Sequence, residues 1–557
     1  MNFFKKNHQL EDFSIWLIFL FVAILVFGQI LNNFFASDDF HWLVIARDSQ
    51  ISWQTFLTNY LGTHDGGSYN PFLVLIFKFF YSLFNTNYFG YHLLSIVLHA
   101  SNGFLLYVLA QKIFELVGFK NFKKLALLAG ILFLLYPIHV EVISWLAAWP
   151  HLWATFFYLL SLVSYFSFRL RSRSSTFRQN KAWSKLIYSV LFFILALLTK
   201  EIAISLPLVI MIWEMYFYSS LGKNKNNRPY VLIYFAILAL FLLLRYLSIG
   251  LVFGYYASTK LGFSYLDWTA NLAAFGGDFV SFGFLRTIIY KAIYHYKESV
   301  VIVVLAILAL YFLMTLLKKK TLQATSLIAL LFILAPVLVT GLHHSSFGGE
   351  RYLYLATSFF VIWLIIALKD FKINFKFSMA LLGIFIILSL GINIYKLSIW
   401  NEASSLSQQI VTSYKDLNTK NGQSFLTVAL PDNFMGAEVF RNNLNQALEI
   451  YYPNNHPNIL TTLAYVEVNK NNQNNQLLKW RQDDHGWFGE SVDGSFVVTG
   501  ITSINMNNVY WELWNYNYQN YKANIIRLIP EPETRDKIKQ GELGILTFDR
   551  GVLKILE

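Results

Sequence analysis

The chain contains no cysteine. Disulfide frameworks, thiol catalysis and thiolate-bound zinc are thereby excluded. Charge is scarce as well. Asp, Glu, Lys and Arg make up 14% of the 557 residues, against about 25% in an ordinary soluble domain. Proline is sparse, at 11 residues, so few points force a helix to break. No repeat with a period of about 20–50 residues is visible, which argues against a helical-repeat tail. Apolar residues instead reach 56% and aromatics 18%, with a mean hydropathy of +0.45. That composition belongs to a polytopic membrane protein. Disordered chains, nucleic-acid factors and disulfide-rich secreted scaffolds are excluded.

The formal net charge of +12 is unevenly spread. Residues 1–396 carry 31 basic and 15 acidic side chains, whereas residues 397–557 carry 13 and 17. The positive excess therefore lies in the hydrophobic part, where loop charge sets topology. Apolar runs long enough to cross a bilayer lie near 13–31, 88–110, 124–138, 151–168, 184–199, 202–220, 230–250, 299–317, 322–341, 351–368 and 378–396. These eleven runs are the expected transmembrane helices. The run 71–84 is short and carries Lys78, which fits a helix lying at the interface. The first run is too long for a removable signal peptide and reads as a retained anchor.

With the N-terminus cytoplasmic, the cytoplasmic loops collect 21 Lys and Arg residues. The opposite loops before residue 397 collect seven: Arg47, Lys200, Lys260, Arg286, Lys291, Lys297 and Arg351. This bias and an odd number of spans place residues 397–557 outside the cytoplasm. That region is expected to be an extracytoplasmic soluble α/β domain, following a transmembrane domain over 1–396. Strand-like runs are Phe425–Leu430, Leu460–Val468, Phe496–Ile501, Asn524–Ile529 and Gly544–Phe548, and helix-like runs are 436–451 and 533–540. Its tryptophans Trp487, Trp511 and Trp514 read as exposed types.

Acids and histidines gather at the outer ends of the spans. Asp38 and Asp39 follow the first span, and His64 and Asp65 lie in the same outer loop. His139 and Glu141 follow the third span, His151 opens the fourth, and Lys200-Glu201 joins the fifth to the sixth. Arg245 lies near the outer end of the seventh span, and His343, His344, Glu350 and Arg351 crowd the loop before the tenth. Polar groups at membrane depth cost about 2.5–3.5 kcal/mol each at a span centre, so a one-sided collection of them points to a purpose. Plainer roles are available for each alone. Asp38-Asp39 fits a helix cap, Lys200-Glu201 a hairpin ion pair, and Trp145, Trp149 and Trp153 an interfacial belt. His92 and His99, seven apart on one face, fit the bundle interior.

Six short stretches, in order, carry a family resemblance: Ser37-Asp38-Asp39-Phe40, Tyr88-Phe89-Gly90-Tyr91-His92-Leu93, His139-Val140-Glu141-Val142, Leu198 to Pro207 with Lys200-Glu201 inside it, Leu244-Arg245-Tyr246-Leu247 and Glu350-Arg351-Tyr352-Leu353-Tyr354-Leu355. They resemble the GT-C superfamily of polyprenyl-phosphate-sugar glycosyltransferases. The branch they resemble is the protein O-mannosyltransferase-like one that includes the transmembrane, tetratricopeptide-containing O-mannosyltransferases. Two stretches depart from that pattern. Tyr69-Asn70-Pro71-Phe72 stands where the family has Tyr-Arg-Pro-Leu, and Trp149 and His151 stand where it often has a basic and an acidic residue.

The resemblance implies a GT-C-like bundle and an inverting hexosyltransferase. A single sugar, mannose-like, would pass from a polyprenyl monophosphate to a hydroxyl of a protein or cell-envelope glycan at the outer face. It implies Asp38 as general base with Asp39 beside it, Arg245 and Arg351 on the phosphate, and His64, Asp65, His139, Glu141, Lys200, Glu201 and Glu350 around the substrates. No cofactor is required, and a divalent metal has oxygen and nitrogen donors available in Asp38, Asp39, His64, His139 and Glu141. The partners are the lipid-linked sugar, the acceptor and the bilayer, not nucleic acid. Lys, Asn, Ile and Phe enrichment points to a bacterial cytoplasmic membrane. Two other readings stay open: a lipid-linked glycan flippase or transporter, and a ligase using a polyprenyl diphosphate.

Overall fold

The computed structural model describes residues 2–50, 69–172, 179–220, 230–250, 252, 265–317, 321–338, 347–370, 375–417, 423–454, 457–468, 477–492, 496–497, 503–506, 508–514 and 522–556. The helices, in chain order, are α1 (Asn2–Phe27), α2 (Asp38–Asp48), α3 (Pro71–Phe84), α4 (Tyr88–Leu116), α5 (Phe122–Leu134), α6 (Val140–Ser144), α7 (Trp149–Ser172), α8 (Gln179–Leu197), α9 (Leu206–Ser220), α10 (Val231–Ile249), α11 (Tyr265–Ser281), α12 (Arg286–Leu317), α13 (Thr321–Leu334), α14 (Tyr354–Asp370), α15 (Phe375–Ser413), α16 (Leu444–Tyr451) and α17 (Pro532–Gln540). The chain forms two compact units, Met1–Leu31 with Asp48–Lys396, and Asn32–Arg47 with Leu397–Glu557.

The first unit is a helical bundle. Each of the eleven expected spans falls mainly on helix over its described residues, with a break at Leu135-Tyr136 inside 124–138 and a turn at Leu198-Thr199 closing 184–199. Among those residues, eight helices are long and apolar enough to cross a membrane, which makes the chain an integral membrane protein. A ninth crossing is made if the bent pair Phe122–Leu134 and Pro137–Ser144, 45° apart, counts as one span. Ala182–Leu197 and Thr321–Val337 are apolar but shorter. The bend has a local cause. Pro137 pushes Tyr136 to extended backbone, at φ −69° and ψ 120°, and cannot donate to the preceding turn. The second half of the pair is turned inward, so that His139 and Glu141 are 0% and 3% exposed.

Helices α3 and α4 begin where their sequences say they should. Pro71 occupies the first turn of α3, where no N–H is needed. Asn87 caps α4, its side chain accepting from the Phe89 N–H at 3.1 Å. The bundle interior is aromatic: Tyr91, Trp149, Tyr158, Trp213 and Tyr354 are fully buried. Trp145 is buried too, so neither it nor Trp149 belongs to an interfacial belt. Trp149 donates its indole N–H to Ser95 Oγ at 2.7 Å, and it packs on Phe77. His92 and His99 are both inside.

The second unit contains fourteen strands among its described residues: β1 (Ser424–Val428), β2 (Leu430–Phe434), β3 (Ala437–Glu438), β4 (Asn458–Thr462), β5 (Tyr465–Val468), β6 (Leu478–Asp483), β7 (Gly486–Ser491), β8 (Phe496–Val497), β9 (Ser503–Met506), β10 (Val509–Trp514), β11 (Lys522–Ala523), β12 (Ile525–Pro530), β13 (Leu543–Asp549) and β14 (Val552–Ile555). They form a four-stranded sheet ordered β14-β13-β1-β4 and five-stranded sheets ordered β6-β7-β12-β10-β9 and β11-β8-β5-β2-β3. In the first of these, β1 runs parallel to both β13 and β4.

The expected helix over 436–451 is shorter, because residues 437–438 pair back on β2 as β3 and α16 starts at Leu444. Strand β10 alternates cleanly, with Val509, Trp511 and Leu513 inside. Trp487 and Trp511, read as exposed, are therefore core residues, whereas Trp514 is 41% exposed. The period of two decides this, and residue type does not.

Candidate active site

Two ion-pair networks meet at one turn of the first unit, Gly348-Gly349-Glu350-Arg351. Gly349 has φ +88°, a left-handed conformation that a Cβ would strain. The turn then enters a short 3₁₀ helix at Glu350–Leu353 and continues into α14. Consecutive side chains from this turn address different partners.

Arg351 faces Glu141. Its Nη1 donates to Glu141 Oε1 at 2.5 Å, while the Gly349 and Arg351 backbone N–H groups donate to Oε1 and Oε2 at 3.1 and 2.7 Å. The guanidinium carbon lies 4.9 Å from the Trp145 ring centre and 4.7 Å from that of Tyr352. Such stacking suits a planar, delocalised cation. The carboxylate is nearly closed off, at 3% exposure, but the arginine side chain remains 21% exposed.

Glu350 turns the other way. Its Oε1 accepts from Lys396 Nζ at 2.6 Å and from Arg286 Nη2 at 3.4 Å. Arg286 is held by Asp278, with Nη2 to Oδ2 at 2.5 Å and Nε to Oδ2 at 3.1 Å, and it donates from Nη1 to the Gly348 carbonyl at 2.9 Å. All four side chains are 3% exposed or less. Two acids and two bases cancel, which lets such charges stay in a low-dielectric interior.

A third cluster joins Lys200, Glu201 and Arg245. Arg245 Nη1 donates to Glu201 Oε1 at 2.5 Å, and Lys200 Nζ lies 3.7 Å from Oε2. Lys200 and Glu201 are about one-fifth exposed and Arg245 only 3%. His151 sits between the open clusters: its ring is 5.4 Å from that of Tyr352, within electrostatic reach of both Lys200 and Arg351. His139 packs among the His99, Phe133 and Tyr354 rings.

Asp38 and Asp39 belong to the second unit. Asp39 is buried, and its Oδ2 accepts from the Ala36 N–H at 3.0 Å while its own N–H donates back to the Ala36 carbonyl. This reciprocal pair fixes the first turn of α2. Asp38 is partly exposed, and its Oδ1 accepts from Asn443 Nδ2 at 2.7 Å and Asn442 Nδ2 at 3.4 Å. One turn further on, burial pushes the His41 imidazole below its ordinary range, and the Asp38 carboxylate opposes that shift.

His64, Asp65, His343 and His344 lie outside the described residues. Among those described, no group of three or more His, Asp or Glu side chains is arranged to hold a metal ion. Asp278, Arg286 and Lys396 carry structural weight that does not follow from the sequence pattern. Lys396 had a signal, as the lone charge in the apolar run 378–396. Asp278 had none, because it sits in a helix too short and mixed to read as a span.

No family model matches the chain. Among curated proteins, it is 29% identical over 177 residues to the protein O-mannosyl-transferase Tmtc1 of Drosophila melanogaster, covering 32% of this chain and 18% of that protein. To human TMTC2 it is 28% identical over 178 residues, covering 32% and 20%. Over these stretches the chain is similar in sequence to named protein O-mannosyl-transferases. The match spans about one-fifth of those relatives' length. Among solved structures, ArnT from Cupriavidus metallidurans aligns over 80% of this chain and 85% of its own, at 11% identity and a TM-score of 0.42. The oligosaccharyltransferase AglB from Archaeoglobus fulgidus, in complex with an inhibitory peptide and a dolichol-phosphate, gives 0.41 at 12% identity over 80% and 64%. Likeness at that level decides neither fold nor function.

Proposed function

We propose that the protein is a membrane glycosyltransferase of the GT-C type, moving one hexose, mannose-like, from a polyprenyl monophosphate to a hydroxyl of a protein or envelope glycan. The observation that carries this is Arg351. It is fixed by Glu141, stacked between Trp145 and Tyr352, and still one-fifth exposed. A lipid phosphate leaving group gains charge as it departs, and a pre-oriented guanidinium is suited to receive it. Lys200 and Arg245 supply further positive charge, and His151 lies in the field of both clusters. Sequence similarity to named O-mannosyl-transferases supports the same reading.

In this reading the acceptor oxygen forms a bond to the anomeric carbon as the carbon–oxygen bond to phosphate breaks. The hydroxyl proton passes to the Asp38 carboxylate, and polyprenyl phosphate leaves with the bonding electrons. Attack opposite the leaving group inverts the anomeric centre. The reaction as written needs no metal. Glu141 and Glu350 hold the Gly348–Arg351 turn from either side, and Asp39 shapes the start of α2. The 21-to-7 loop charge bias favours an extracytoplasmic second unit, and the composition favours a bacterial cytoplasmic membrane.

The test is single-turnover transfer by the full chain in nanodiscs, using short-chain polyprenyl-phosphate hexoses and a hydroxyl-bearing peptide. Asp38→Asn should bind donor normally and lose transfer by about 10²–10⁴-fold, the usual worth of a positioned base. Near wild-type transfer by Asp38→Asn would remove the base assignment.

A further inference from the structure

The helix that begins at Asp38 is fastened at both ends to one short segment of the second unit. At its start, the Ser37 N–H donates to the Val439 carbonyl at 2.9 Å, and the Asn442 N–H donates to Ser37 Oγ at 3.3 Å. The Phe40 ring stacks on Phe440, with centroids 5.5 Å apart and planes 4° from parallel. At its end, Arg47 pairs with Glu449 of α16. Between these anchors, the Asn442 and Asn443 amides both address one oxygen of Asp38.

That convergence is selective. An ionised carboxylate can only accept, so the amide nitrogens must be the atoms facing it. Both go to Oδ1, at 2.7 and 3.4 Å. Oδ2 takes no hydrogen bond from the described residues. A carboxylate that is to collect a proton needs one oxygen held and the other available. Asn443 reaches Asp38 from a left-handed backbone, φ +69°, directly ahead of α16. Few residues adopt that backbone readily, and asparagine is among them. Its place in the turn and its amide therefore serve the same end.

We infer that Asn443 is a positioning residue for the Asp38 carboxylate. This rests on the reading of Asp38 as the base. Asn442 adds a longer, secondary contact. The residue has no counterpart among the six stretches that carry the family resemblance, all of which end before residue 356.

Two substitutions separate the amide from the backbone it stands on. Asn443→Gly keeps the left-handed turn and removes the donor. Asn443→Asp keeps size and backbone preference but sets an acceptor against Asp38. With the full chain in nanodiscs and short-chain polyprenyl-phosphate mannose among the donors, Asn443→Gly should lower kcat by about ten- to a hundredfold, the worth of a hydrogen bond to a charged group. KM for donor and the melting temperature should not move, and Asn443→Asp should lose more. In an Asp38→Asn background, Asn443→Gly should cost nothing further, because its effect runs through Asp38. Equal losses in both backgrounds, or a wild-type kcat for Asn443→Gly, would overturn the inference and leave Asp38 as base untouched. Near wild-type turnover by Asp38→Asn, or no turnover of any donor by the wild type, would instead overturn the parent reading.

Discussion

The two networks that share the Gly348–Arg351 turn use charge in opposite ways. Asp278, Arg286, Glu350 and Lys396 are sealed, with no side chain more than 3% exposed. Glu141 with Arg351, and Glu201 with Lys200 and Arg245, are open on one side. In the sealed network every charge is spent on a neighbour, and the product is a fixed turn. In the Glu141–Arg351 pair a buried carboxylate steadies a cation whose other side is not enclosed, whereas around Glu201 the carboxylate and Lys200 are the partly exposed partners and Arg245 is enclosed. Adjacent residues of one chain segment, Glu350 and Arg351, thus end up one sealed and one partly open.

Breaking the sealed network should have the largest effect. Lys396→Met leaves Glu350 and Asp278 facing Arg286 alone, and removing one partner of a buried pair costs about 3–5 kcal/mol. The variant should melt far below wild type in detergent, and the double change Lys396→Met with Glu350→Gln should recover part of the loss. A single variant that melts with the wild type would show that the sealed network is not a scaffold.

Next in size is Arg351→Lys, which tests the open side. Lys keeps the charge but cannot fork onto a phosphate or stack between Trp145 and Tyr352 as guanidinium does. Transfer should fall by about tenfold or more, with stability little changed. Loss of folding in place of rate would merge the two networks into one structural cluster.

The smallest effect is expected for Arg245→Lys. Arg245 is deeper than Arg351, at 3% exposure, and its close partner is Glu201. A lysine retains that pairing, so transfer should drop by no more than about threefold. A loss as large as that of Arg351→Lys would make the two arginines equal phosphate ligands.

Much of the bundle was legible because membrane burial imposes a length and a composition. Among the described residues each apolar run from 13–31 to 378–396 falls mainly on helix, and Pro137 marks the break in one of them. Interior polarity was less legible. Glu141 and Arg351 both stand out as charges at span ends, but nothing in a one-dimensional pattern says that they touch across 210 residues. Asp278 and Arg286 fell in a stretch without an apolar signature, so the sealed network stayed hidden. In the second unit the tryptophans misled, because facing follows strand register and register is set by pairing partners far away in sequence.

By itself, the sequence determined the membrane class, most of the helical spans and a separate strand-rich C-terminal region, and it carried six short stretches that resemble the transmembrane O-mannosyl-transferases. These follow from local rules, since hydrophobic length, loop charge and residue order are all written along the chain. Tertiary structure alone decided which carboxylate holds which cation. It also decided that Asp38 is gripped by Asn442 and Asn443, more than 400 residues away. Such choices depend on distance and desolvation in three dimensions. A charge buried at 1% exposure and one left open at 21% can be neighbours in sequence, as Glu350 and Arg351 are.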